Sequence, residues 1–220
     1  MSMFKNNMDF VYWFERLLAA YTGFKYAITT DCCTNAILVS CEAKAFTYEL
    51  DHDTTLLIPK HTYMSVPMTL KNNGWKIQFV DDKWYGKYML GIDSQIYDAA
   101  TDLHKNMVQD YAHCYNPFVC VSFQQKKRLP LGKGGVILFN DEKYFDLLRR
   151  LVYDGRNAYL PDSEEIARSP NNIICGYHCY MEPDKAAKGI LLLNQEQQLA
   201  PYMTHSYAEY PDISKLPIWK

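Results

Sequence analysis

The stretch Val119-Cys-Val-Ser-Phe-Gln-Gln-Lys-Lys-Arg-Leu-Pro-Leu-Gly-Lys-Gly-Gly135 decides the fold. The apolar run from Phe118 to Phe123 is short, partly β-branched and followed at once by polar residues, which is typical of a buried strand. A second apolar run, Val136 to Phe139, predicts the next strand. Between them lie Lys126, Lys127 and a glycine-rich turn, and glycine permits backbone angles that other residues resist.

A lysine on such a tight connection has two interpretations. It can be partly desolvated and lose its proton near neutral pH, as imine chemistry with an aldehyde requires. The same residues also fit a solvated basic loop, because surface lysines are the norm. The rest of the chain decides between the two.

Bulk composition predicts a globular chain and excludes two classes of partner. With 220 residues it forms one large domain or two small ones, and 48% hydrophobic against 22% charged residues favours a soluble fold. There are 23 basic and 25 acidic side chains, giving a net charge of −2. That balance provides neither a basic field for nucleic acid nor a polybasic patch for a membrane surface.

The seven cysteines indicate a reducing compartment. The sequence has neither a signal-peptide pattern nor a long apolar stretch, so we expect a cytoplasmic protein with reduced thiols. No paired CxxC pattern is present, and we therefore predict no metal site.

Apolar strands alternate with helical patterns along the chain. Tyr26 to Thr30 predicts a strand, and the polar turn Asp31 to Asn35 leads from it into a helix. Such alternation favours right-handed βαβ units and a mainly parallel α/β sheet. The aromatic connector from Trp84 to Tyr88 is interpreted as packing, and residues 154–172 as a long mobile loop.

The turns that follow the predicted strands carry chemistry. In parallel sheets, ligands bind beyond the carboxyl ends of the strands, where these turns would line one crevice. A helix start suited to phosphate, an aromatic ring, an acid and a lysine together describe a pyridoxal phosphate site. Taken singly, Asp98 also fits a helix cap, Tyr63 a packing residue and Ser122 a strand end.

Seven segments resemble, in order, motifs of the DegT/DnrJ/StrS family of sugar aminotransferases, which have the aspartate-aminotransferase (fold type I) architecture. The co-linear order spans roughly residues 10 to 200 and is more specific than any one motif. The segments are FERLLAAYTG (14–23), TDCCTNAI (30–37), IPKHTY (58–63), GWKIQFVD (74–81), DAA (98–100), SFQQKKRLPLGKGG (122–135) and GYHCYM (176–181).

The resemblance implies a role for each site residue. Lys127, five residues after the serine, would form the Schiff base with pyridoxal 5'-phosphate. Asp98 would pair with the pyridinium nitrogen, and Tyr63 would stack on the ring. The phosphate would be held by Cys33 (through its backbone), Thr34 and Ser122, and by His178 reaching the cofactor of the neighbouring subunit.

The resemblance also implies a function. The chain would be a homodimeric aminotransferase that moves an amino group from glutamate or glutamine to a keto sugar, nucleotide-linked, in amino-sugar biosynthesis. Family members that dehydrate sugars carry histidine in place of Lys127, and this chain does not. Two alternatives stay open: a pyridoxal phosphate enzyme acting on another carbonyl compound, and a non-catalytic member used for binding or as a scaffold.

Some segments depart from the family pattern. The strand–helix–strand unit that the family has between Asp82 and Asp98 is reduced to a connector, and we expect the small C-terminal domain to be largely missing. Thr101 stands where the family has a glutamine or a histidine, and Tyr180 stands where the family has an arginine. We expect residues 1–200 to form the cofactor-binding domain and residues 201–220 an extended tail.

Overall fold

The computed structural model describes residues 6–91, 94–158, 160, 162–195, 197 and 199–219. Strands and helices alternate as predicted as far as residue 80, and, apart from short 3-10 turns, four strands followed by three helices come after it. The helices are α1 Met8–Thr22, α2 Cys33–Phe46, α3 Ser65–Asn72, α4 Phe145–Val152, α5 Asp162–Arg168 and α6 Pro183–Asn194. The strands are β1 Tyr26–Thr30, β2 Thr55–Pro59, β3 Lys76–Val80, β4 Tyr88–Met89, β5 Ile96–Asp98, β6 Phe118–Ser122 and β7 Gly135–Phe139. None of these helices has the length and apolar character needed to cross a membrane.

The main sheet is mixed, which corrects the expectation of a mainly parallel one. Its strand order is β1-β7-β6-β5-β4, and β2 and β3 pair separately in parallel. Only the β5–β6 pair is parallel in the five-stranded sheet, and its other pairs are antiparallel. The reason is the tight connection at 123–134, after which β7 returns antiparallel to β6 and separates it from β1.

Both faces of the sheet are covered by helices, and alternate strand residues contribute to each. One hydrophobic cluster contains Ile28, Cys120 and Ile137 together with residues of α2 and α4. The other contains Val121 and Leu138 with residues of α1 and α6. This alternation follows from the two-residue period of a strand, and it leaves the strand ends to the loops that form the candidate site.

Glycine 135 lets helix α2 begin close to the sheet. Gly135 pairs with Thr30 on β1 and with Ser122 on β6. A Cβ atom at this position would lie 2.5 Å from the backbone nitrogen of Cys33, closer than real Cβ contacts come. Only glycine therefore fits where the first turn of α2 approaches the ends of β1 and β6.

The prediction of one long loop over residues 154–172 is wrong. Helix α5 occupies Asp162–Arg168, and the 3-10 turn Pro170–Asn172 follows it. An ion pair between Arg168 Nη1 and Glu164 Oε1 (2.6 Å) joins residues four apart, a spacing that supports a short exposed helix.

Residues beyond 200 run along the connector and the loop that follows β2. The backbone nitrogen of Gly86 donates to the carbonyl of His205 (2.7 Å), and that of Ile213 donates to the carbonyl of Lys60 (2.9 Å). Ile213 is buried, and His61 Nδ1 lies 2.8 Å from the carbonyl oxygen of Tyr210. This segment therefore packs against the loop that carries Tyr63.

A charged network lies at the C-terminal end of α2. The buried amine of Lys44 donates to Glu49 (2.7 Å) and lies 4.8 Å from the centre of the Phe118 ring. Tyr144 and Lys143 also donate to the same carboxylate. Burial of Glu49 opposes its ionisation, but the hydrogen bonds from these three donors outweigh it and lower the pKa of Glu49 to about 2.

This network predicts a loss of stability in acid. Because the pKa of Glu49 is about 2 in the folded chain against 4.5 for a free glutamate, its stabilising effect is complete above that upper value and is lost as the pH falls toward the lower one. We expect Glu49→Gln to lower the urea midpoint of unfolding at pH 7, and we expect the difference in midpoint between variant and wild type to be smaller at pH 3. The same difference in midpoint at both pH values would contradict this account.

Candidate active site

The first turn of α2 lies where β1, β6 and β7 meet. Cys33 begins the helix, and Thr34 Oγ1 lies 2.6 Å from Ser65 Oγ at the start of α3. The N-terminus of a helix carries a partial positive charge and backbone N–H groups without intrahelical partners. With the two hydroxyls beside it, this end of α2 is suited to an anion.

Asp98, the last residue of β5, is a buried carboxylate with two donors. Its side chain is only 6% exposed, and it accepts hydrogen bonds from Tyr88 Oη (2.7 Å) and the backbone nitrogen of Ala100 (3.0 Å). Burial raises the pKa of Asp98, whereas these two hydrogen bonds and the charge of Lys127 act to lower it. The residues directly after Asp98 form a turn and not a helix, so the bond to Ala100 closes that turn and the helix-cap interpretation is wrong. Tyr88 comes from another strand, β4.

Lys127 lies in the connection between β6 and β7, where its backbone nitrogen donates to the carbonyl of Gln124 (2.8 Å). Burial lowers the pKa of the Lys127 amine, while Asp98, Cys33 and Glu209 act in the opposite direction. A lowered pKa leaves more of the amine uncharged near neutral pH, as nucleophilic attack requires. The partly buried position of Lys127 fits the desolvated interpretation better than that of a fully solvated loop.

The structure brings several of the predicted site residues together. Lys127, Asp98 and Cys33 interact electrostatically with one another, and Thr34 adjoins Cys33 in the same turn. Ser122 ends β6 as a buried residue, and its hydroxyl accepts a hydrogen bond from the backbone nitrogen of Gln124 (3.3 Å). The sequence therefore predicts the members of this cluster, and the fold explains why they meet.

Two of the predicted site residues are exposed. Tyr63 is 65% exposed beside the start of α3. The side chain of His178 is 72% exposed, and its Nδ1 lies 2.8 Å from Asp154 Oδ1. His178 lines a hollow of about 200 Å³ with Asp31 and Lys133 rather than joining Lys127 and Asp98. A role for His178 in the site of a neighbouring subunit would not require it to lie beside Lys127 and Asp98 of its own chain.

Sequence reasoning missed three hydroxyl groups near the site. Ser65 bonds Thr34, Tyr88 bonds Asp98, and Thr62 Oγ1 lies 2.7 Å from Tyr88 Oη. The position of Thr62 beside Tyr63 in the IPKHTY segment was an available signal. For Tyr88 the local sequence offers only its aromatic character, because its partner depends on how β4 pairs with β5.

The family model matches residues 2–85 and 95–208, which is most of the chain. This chain belongs to the DegT/DnrJ/EryC1/StrS aminotransferase family. The family assignment from the seven motifs is thereby confirmed, and pyridoxal phosphate is the cofactor that the family uses. The internal stretch without a match, residues 86–94, belongs to the connector that contains β4.

Solved structures confirm that this member of the DegT/DnrJ/EryC1/StrS family has the pyridoxal phosphate fold type I architecture. GDP-4-keto-6-deoxy-D-mannose-3-dehydratase from E. coli with bound hydrated PLP is 16% identical with a TM-score of 0.65, and the match covers 84% of this chain and 60% of that one. 3-Amino-5-hydroxybenzoic acid synthase is 16% identical with a TM-score of 0.65, and the match covers 86% of this chain and 56% of that one. NtdA from Bacillus subtilis with bound cofactor PMP is 17% identical with a TM-score of 0.65, and the match covers 84% of this chain and 47% of that one.

The chain spans about half to three-fifths of the length of these solved enzymes. No curated protein matches it.

Proposed function

We propose that this chain is a pyridoxal-phosphate-dependent aminotransferase that moves an amino group from glutamate or glutamine to a nucleotide-linked keto sugar. One observation carries the proposal: a partly buried lysine amine with a lowered pKa interacts with a buried carboxylate at the end of strand β5. Family membership supports assigning that pair to cofactor chemistry.

The groups present fit the cofactor. Its phosphate would meet the N-terminus of α2 with the hydroxyl of Thr34, and Ser122 would stand at the end of the adjacent strand. Its ring nitrogen would meet Asp98, whose two oxygens each accept one hydrogen bond and keep acceptor capacity for another. Tyr63 would offer its exposed ring for stacking.

Lys127 and Asp98 would act in both halves of the reaction. When bound, the cofactor supplies an electron sink for the carbon that gains or loses the amino group. Lys127 Nζ would hold the cofactor through its aldehyde group, and as a free base it would accept a proton from the substrate carbon and later return it. Asp98, as a carboxylate, would keep the ring nitrogen protonated.

Two features support the proposed substrate and reaction. The similar solved enzymes include a GDP-4-keto-6-deoxy-D-mannose-3-dehydratase, which supports a nucleotide-linked keto sugar as acceptor. The chain carries lysine where the dehydrating members of the family are expected to have histidine, which favours amino transfer over dehydration.

The proposal includes a homodimer. The exposed side chains of Tyr63 and His178 support it, because His178 lies apart from the Lys127 cluster and is available to the cofactor phosphate of a second subunit. We also assign cofactor binding to residues 1–200, with residues 201–220 as a tail, in a cytoplasmic enzyme. Light scattering of the purified protein with and without pyridoxal phosphate measures the oligomeric state.

The test of the proposed function is a covalent one. We expect purified protein mixed with pyridoxal phosphate to gain a visible absorption band that glutamate or glutamine removes. Borohydride reduction before the donor is added, followed by peptide mass mapping, should place the label on Lys127. No band, or a label spread over Lys126, Lys133 and other surface lysines, would overturn the proposal.

A further inference from the structure

Tyr88 connects the candidate cofactor site to the connector. The register of β4 against β5 pairs Tyr88 with Asp98, so their side chains lie on the same face of the sheet. Tyr88 is 5% exposed, and its hydroxyl lies 2.7 Å from Asp98 Oδ2. Residues 86–94 fall outside the family match, so Tyr88 belongs to a segment that the family model does not cover.

The hydrogen bonds around Tyr88 form a chain with a fixed direction. An ionised carboxylate only accepts hydrogen bonds, so the single proton of the Tyr88 hydroxyl is donated to Asp98. The buried hydroxyl of Thr62, 2.7 Å from the Tyr88 oxygen, must then donate to Tyr88. The order is therefore Thr62 to Tyr88 to Asp98, and each donor supports the negative charge at its end.

We propose that Tyr88 is a positioning residue that holds the Asp98 carboxylate ionised and correctly oriented for the ring nitrogen of pyridoxal phosphate, with Thr62 supporting it. This inference rests on the proposed function. Packing alone does not require the hydroxyl, because the ring of Tyr88 already contacts Trp84, with ring centres 5.5 Å apart. A phenylalanine would keep that contact and lose only the hydrogen bonds.

Few other groups near Asp98 change charge between pH 5 and 8. Within the described residues, the titratable groups found to interact electrostatically with Asp98, besides Tyr88, are Lys127, Cys33, Cys120 and Tyr210. Burial raises the pKa of Cys33, Cys120 and Tyr210, so these three stay neutral in that range. Lys127 and Asp98 act on each other's pKa, and Tyr88→Phe introduces no charge of its own, so the variant reaches Lys127 through Asp98 and a difference between the two proteins begins at Asp98.

Tyr88→Phe tests the inference through cofactor affinity, measured by absorbance or fluorescence titration rather than by activity. Loss of one hydrogen bond to a charged group should weaken pyridoxal phosphate binding about ten- to a hundredfold at pH 7. Because the lost bond favoured the ionised form, the pKa of Asp98 rises, and the acidic limb of the affinity–pH profile should move up by about one unit. A purely structural role would not shift that limb.

Two further variants complete the test. Tyr85→Phe also removes a tyrosine hydroxyl from the connector, but Tyr85 is 66% exposed and its hydroxyl makes no hydrogen bond within the described residues. The Tyr85→Phe variant should therefore have the pyridoxal phosphate affinity and the affinity–pH profile of wild type. Thr62→Val should shift the profile in the same direction as Tyr88→Phe, by less. Far-UV circular dichroism checks that each variant is folded.

The outcomes separate this inference from the proposed function. If wild type binds pyridoxal phosphate and Tyr88→Phe binds it within twofold, with an unchanged pH profile, the inference is wrong and the proposed function stands. If Tyr88→Phe fails to fold and Thr62→Val leaves the profile unchanged, the inference is equally overturned. If wild type does not bind the cofactor, both fail together.

Discussion

Lys127→Ala is expected to abolish the borohydride-stable label and to slow amino transfer from glutamate by about 10³-fold. The first effect follows because no other amine is placed in the connection after β6 with the same burial and the same neighbouring carboxylate among the described residues. The second follows because removing a positioned acid–base group typically costs 10²- to 10⁴-fold. Single-turnover absorbance changes with glutamate as donor measure the rate.

Two further variants show whether the lost label and activity come from the Lys127 amine itself, from a neighbouring lysine or from the loss of a positive charge. Lys126→Ala removes an exposed lysine one residue away and should leave label and rate unchanged. Lys127→Arg keeps a positive charge but offers no amine that can lose its proton near neutral pH, so it should be as inactive as the alanine variant. Retention of a tenth or more of the wild-type rate by Lys127→Ala would exclude the assigned role.

Local sequence patterns predict the elements of this fold better than their arrangement. Strand β1 has the predicted bounds, Tyr26–Thr30, and is followed by the predicted polar turn into a helix. The sheet order is not encoded locally, since β1 pairs with β7 more than a hundred residues away. That long-range pairing is why a mainly parallel sheet was expected and a mixed one is found.

The candidate site shows the same division. Asp98 ends β5 and Lys127 lies in the connection after β6, and the order of the motifs along the chain predicts both. Tyr88 was interpreted as packing, and it does pack, but its hydroxyl gains a partner only through the register between β4 and β5. Hydrogen bonds between distant segments are therefore the part that the sequence alone could not predict.

A second large effect is expected from the buried ion pair between Glu15 on α1 and Arg149 on α4. The two guanidinium nitrogens of Arg149 donate to the two carboxylate oxygens of Glu15, at 3.1 and 2.6 Å. Glu15 also accepts from the backbone nitrogen and hydroxyl of Thr29 on β1 (2.7 and 2.9 Å). Glu15 is 3% exposed, so this carboxylate joins two helices and a strand away from solvent.

Arg149→Met should lower the free energy of unfolding by about 3–5 kcal/mol, because it leaves the Glu15 charge buried with only the Thr29 donors. The double variant Glu15→Gln/Arg149→Met should recover most of that loss, since a neutral amide still accepts from Thr29. Arg168→Met, which removes an exposed arginine paired with Glu164 on α5, is the control and should cost about 1 kcal/mol or less. Urea denaturation of the four proteins measures these differences. If the single and double variants are equally destabilised, lost packing of the arginine rather than a stranded charge explains the effect.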